Sequence, residues 1–110
     1  MLEDAVKRIA DAVQKNDSID SAHKADLLAL LAALKSEVRQ LSGTHGEHAR
    51  SIAGFAELAA HEATRREKSP GLLQYSLGGL ALSAQGFEAS HPKLVETVNQ
   101  ICVMLARIGI

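Results

Sequence analysis

The sequence predicts an all-α fold: a helical bundle, antiparallel and coiled-coil-like, of four or five helices with one long central helix. Three observations predict it. Aliphatic residues recur in alternating steps of four and three along most of the chain, the period of one helix face. The only two prolines, Pro70 and Pro92, each follow a serine closely, a cap-plus-proline signal that starts a helix. Aromatics are 3% of the 110 residues and tryptophan is absent, so the core must be built from Leu, Ile, Val and Ala. A chain of this length forms one domain and buries roughly two-thirds of its unfolded surface.

The first helix is expected over residues 2–15, with Leu2, Val6, Ile9 and Val13 on its inner stripe. Glu3–Lys7, Asp4–Arg8 and Asp11–Lys15 are acid-before-base pairs four apart on the outer face. Asn16, Asp17 and Ser18 read as a turn whose side chains cap the next helix.

The second helix begins near Ser18 or Asp20. Its stripe is Leu27, Leu31, Leu34, Val38 and Leu41, widened by Leu28 and Leu30. Residues 42–47 support two readings. Gly43 could end the helix and Thr44 with Glu47 could form a capping box, giving a hairpin. Against this, the repeat continues in phase through His45, His48, Ile52, Phe55 and Ala59, where a turn would reset it. Two glycines inside a helix cost roughly 1 kcal/mol each, which packing against a partner offsets. The favoured reading is one helix over 20–66, with a break at 43–46 as the alternative. So long a helix projects past any single-chain core. Leu27, Leu31, Leu34, Val38, Leu41, Ile52 and Phe55 are therefore expected to form a seam with a second chain, in a homodimer or a tetramer.

Glu62–Arg66 is a further helical pair, and Arg65, Arg66 and Lys68 suit a helix C-terminus. Residues 67–71 are linker-like. Ser69 and Pro70 start a helix over 70–88 with the stripe Leu73, Leu77, Leu80, Ala84 and Phe87. Its Gly78, Gly79, Ser83 and Gly86 let a neighbouring backbone approach closely; a hinge is the other reading. The last helix spans 91–108, capped by Ser90, with the stripe Leu94, Val98, Ile101, Leu105 and Ile108. Gly109 is expected to close it in the left-handed conformation, with Ile110 folding back onto Leu105. No internal sequence repeat stands out.

Phe87, Glu88, His91, Pro92 and Leu94 mark the corner before the last helix. Phe87 reads as a core plug, His91 as a cap or packing residue, and Glu88 as a hydrogen-bonding group across the corner. The run Phe-Glu-x-x-His-Pro-x-Leu, with Gly109 and Ile110 ending the helix, resembles a family of small bacterial all-helical proteins of unknown function. The resemblance implies a bacterial cytoplasmic protein and brings no activity with it.

Twelve basic against thirteen acidic residues leave a net charge of −1, which argues against a nucleic-acid or anionic-membrane partner. The lone Cys102 forms no internal disulfide and reads as a small buried hydrophobe. The start lacks the apolar core of a signal peptide, and the longest apolar run is too short to span a bilayer, so the expected compartment is the cytoplasm.

Histidine is the only candidate reactive material. His45 and His48, three apart on the continued stripe, could meet their counterparts in a symmetric dimer as a metal site or a pH-sensitive layer. The duller reading is imidazoles bonded to neighbours or to water. His61-Glu62 lacks the second histidine of a metalloprotease helix, since Arg65 stands there. Glu88 and His91 have di-iron spacing but straddle a helix break. No phosphate loop and no nucleophile–base grouping is readable. The expectation is a protein without enzymatic activity or cofactor, a self-associating helical scaffold or adaptor for an unknown protein partner.

Overall fold

The computed structural model describes residues 2–17 and 19–109, with side chains from Asp4 onward. The expected roles of the Leu2 and Glu3 side chains, of Ser18 as a cap and of Ile110 fall outside what is described. The elements are α1 (Leu2–Lys15), α2 (Ser21–Ser42), α3 (Gly46–Thr64), α4 (Pro70–Gln85) and α5 (Pro92–Ile108). Among the described residues all regular structure is helical, and no helix is long and apolar enough to cross a membrane.

The helices α2, α3, α4 and α5 form a ring in which each touches the next and α5 closes on α2. α1 lies outside the ring against α2 and α3. The inward stripes read from the sequence meet in one core: Val6, Ile9 and Val13 of α1, Leu73 and Leu80 of α4, and Leu94, Val98, Ile101 and Leu105 of α5 are all buried.

The single helix over 20–66 is not what forms; the chain breaks at residues 43–45. The Leu41 carbonyl accepts from the backbone N–H of His45 at 2.7 Å and of Thr44 at 3.1 Å, and α3 restarts at Gly46. Here two glycines within four residues weaken the helix, and no partner chain is needed to offset them. The break follows the hairpin alternative but without its capping box, because the N-cap of α3 is His45, with no side-chain cap bond.

The break relocates the seam. Leu27, Leu31, Leu34, Val38, Leu41 and Ile52 are at most 2% exposed in the single chain, so they are satisfied internally and are not free to pair with another copy. Phe55, assigned to the same seam, lies on the outside at 37% exposure. α3 instead turns Ala49, Ala53, Ala56, Ala59, Ala60 and Ala63 inward beside Ile52. Small side chains bring helices close, and the most extensive helix–helix contact among the described residues is α3 with α4. The radius of gyration, 12.8 Å, matches the ~13 Å of a compact chain of this length.

Polar details shift similarly. Arg8 reaches across to α3, donating from Nε (3.0 Å) and Nη2 (2.7 Å) to Glu57 Oε2. Glu62 pairs with Arg65 at 2.9 Å in place of Arg66. Lys68 donates to the Ala63 carbonyl at the end of α3, as its charge suits. Asp20 caps α2, accepting from the His23 N–H at 2.8 Å, and Ser69 caps α4. Gly109 ends α5 in right-handed conformation (φ −81°), so its value does not lie in the left-handed region. A Cβ there would stand 2.4 Å from Leu73 Cδ2 and 3.3 Å from Ala63 Cα; bareness is what lets three helices meet at that point.

Candidate functional site

Two places gather unusual side chains: the end of the bundle where its corners meet, and the outer face of α4.

The corners at 43–45 and 86–91 differ in length but present a histidine in the same way. His45 and His91 are N-caps with nearly identical backbones, φ −136° ψ 62° and φ −135° ψ 64°. Each donates its N–H to a carbonyl four residues back, Leu41 and Phe87, at 2.7 Å. Each has a hydroxyl just before it on its ring nitrogen: Thr44 Oγ1 at 2.8 Å from His45 Nδ1, and Ser90 Oγ at 3.0 Å from His91 Nδ1. Ser90 therefore bonds the imidazole and does not cap α5, against the sequence expectation. The burial pattern repeats at the same offset: Leu34 and Leu80, Val38 and Ala84, Leu41 and Phe87, Ile52 and Val98, Ala59 and Leu105 are all buried. Other positions break the pattern, with His48 exposed where Leu94 is buried, so the likeness is confined to how each corner presents its histidine.

Phe87 is buried between the corners, as expected of a core plug. Three imidazoles surround its ring edge-on, with centroids at 5.3 Å (His45), 5.2 Å (His48) and 5.7 Å (His91). His45 lies 6.2 Å from His48 and 6.5 Å from His91. The sequence pairing of His45 with His48 is real, and His91 joins it from the other corner. Yet His45 and His48 are exposed, and each imidazole stands steeply inclined to the phenyl ring it packs on. Among the described residues no group of three or more His, Cys, Asp or Glu is arranged to hold a metal ion. Glu88 and Pro92 are exposed at this corner, and Leu94 is buried beneath it.

Two further ionisable groups are structurally engaged. The buried Glu62 carboxylate accepts from Arg65. Cys102 lies half-buried with its sulfur 3.8 Å from the Leu77 carbonyl, and burial pushes its thiol pKa up, away from nucleophilic character.

α4 carries a second apolar stripe besides its buried one. Leu72, Tyr75, Gly79, Leu82 and Gly86 follow one another at three and four residues. Leu72 is 51%, Tyr75 82% and Leu82 70% exposed. From Ser69 to Phe87 there is no charged residue. Gly79 seats the ring of Phe55, whose Cε1 would lie 2.3 Å from a Cβ at that position. Between α3 and α4 runs a groove of about 620 Å3, lined chiefly by Phe55, Leu82, Gly86 and Phe87, with His45 and His48 at one end. The sequence reading missed this stripe because it sought one apolar face per helix. The signal was present as a second set of large residues in the same period, within a run empty of charge.

A family profile, described as a domain of unknown function (DUF4404), matches residues 30–110. The chain belongs to that family. The matched segment of the DUF4404 chain starts inside α2 and takes in both corners, the three imidazoles and all of α4. α1 and the first turns of α2 lie outside it. Residues 43–68 fall inside the matched span. No curated protein and no solved structure matches the chain.

Proposed function

We propose that this DUF4404 chain is a non-catalytic interaction protein of the bacterial cytoplasm, a helical scaffold or adaptor that offers its α3/α4 face to another protein chain. The observation that carries this reading is α4, a helix without charge whose Leu72, Tyr75 and Leu82 stand in water. Covering the two leucines recovers about 1–2 kcal/mol each, given how exposed they are. A tyrosine that is 82% exposed on an apolar stripe suits the aromatic anchor of an interface. Contiguous apolar surface of this kind marks sites where proteins meet. The polar groups suited to chemistry have structural partners: Glu62 holds Arg65, and the imidazoles pack on Phe87. A metal- or proton-responsive role for His45 and His48 has less behind it, since among the described residues no group of three or more His, Cys, Asp or Glu is arranged to hold a metal ion.

The test is a photoreactive residue at position 75 in the native host, with the same residue at position 36 as control. Ser36 is exposed on α2, away from the α4 stripe. Protein adducts from position 75 and not from 36 are the expected result. Equal yields from the two positions would remove the reading.

A further inference from the structure

Resting on the interaction-protein reading, we infer that the occupant of the α4 face is a second copy of this chain, its α4 antiparallel to the first across a two-fold axis. Charge is the first argument. Burying a face without charge against a charged one strands the charges, whereas a second copy brings an equally uncharged stripe. The second is the order of sizes. After Leu72 the stripe alternates large residues with glycine: Tyr75, Gly79, Leu82, Gly86. With the axis near Leu80, Tyr75 faces Gly86 of the second copy and Leu82 faces its Gly79, each large residue over a glycine. A Cβ at Gly86 would meet nothing within 4 Å, so its seat is open. The ring of Phe55 already leans on Gly79, and Leu82 of the second copy closes on that ring. The two-fold makes the contact self-complementary.

Sedimentation equilibrium of the whole chain tests this. The wild type is expected to be dimeric at about 100 µM, above the micromolar Kd at the weak end of standard protein interfaces. Gly86→Leu is the decisive variant. Gly86 has right-handed backbone (φ −68°) and open space around it, so the monomer keeps its fold while the seat for Tyr75 is filled. It should weaken dimerisation about tenfold to a hundredfold. Leu82→Arg should abolish the dimer. Val103→Arg, exposed on α5, should leave it intact. A monomeric wild type overturns the inference, as does a Gly86→Leu protein that dimerises like the wild type. A monomer that still gives adducts to a different protein from position 75 would overturn the second copy alone and leave the interaction reading standing.

Discussion

Gly86 and Gly109 end their helices in the same right-handed conformation, yet they differ in what surrounds them. A methyl at Gly109 collides with Leu73 and crowds the backbone of Ala63, while one at Gly86 meets nothing. Gly109→Ala is therefore expected to cost about 1–3 kcal/mol of unfolding free energy, the range for overpacking. Gly86→Ala should be neutral or raise stability by about 0.4–1 kcal/mol through the unfolded chain. Urea titrations of both variants settle the contrast; equal losses would show that backbone conformation governs both sites. Asp20 supplies a pH dependence. The backbone N–H of His23, then its ring, hold the Asp20 carboxyl below its ordinary value. The folded state thus favours the carboxylate. Its contribution is complete above the normal aspartate range and is lost as pH falls through the lowered folded value. Exchange of the His23 amide should quicken, relative to neighbouring amides, as the solution is acidified through that range, and Asp20→Asn should flatten the response.

At the scale of the helix, α3 tests what alanine does here. Its inner side is almost entirely alanine, and α4 makes the most extensive contact with this helix. Ala59→Leu, at a position with no exposure, should lose about 1–3 kcal/mol. Gly54→Ala, on the open outer side of the same helix, should gain about 1 kcal/mol from propensity alone. Thermal or chemical denaturation of the pair separates packing from propensity. This alanine face also shows where sequence reading stops. α1, α4 and α5 were legible because Leu, Ile and Val mark their inner stripes at helical spacing, and proline and serine mark the start of α4. α3 was not, because alanine carries little pattern and larger residues nearby continued the count. Leu41, His45, His48, Ile52 and Phe55 keep step by position, but the break at 43–45 leaves His45, His48 and Phe55 on the outside. The histidine corner was half legible. His45 with His48 follows from spacing, whereas His91 arrives only through the second corner. The two histidine caps share backbone angles while the residues before them differ, Ser-Gly-Thr before one and Glu-Ala-Ser before the other.

For the molecule as a whole, the question is whether five helices unfold as one unit. α1 sits outside the ring, but Val6, Ile9 and Val13 share a continuous apolar cluster with the four helices inside it. A single shared core predicts one cooperative transition. Two native side chains report on it from different places. Tyr75, the only tyrosine in a chain without tryptophan, stands on the outer face of α4. Cys102, the only cysteine, sits between α5 and α4 with its thiol pKa raised by burial. Native Cys102 should react slowly with a maleimide near neutral pH, because both access and thiolate fraction are reduced. In urea its labelling should rise to the free-thiol rate at the midpoint where the helical signal is lost. An earlier thiol midpoint would mean that α5 peels from α4 before the rest opens. Tyrosine emission adds a second axis. If a second copy covers Tyr75, both midpoints move to higher urea as protein concentration rises, because association stabilises only the folded chain. If α4 stays bare, the midpoints are independent of concentration, and the cooperativity belongs to the monomer's own core.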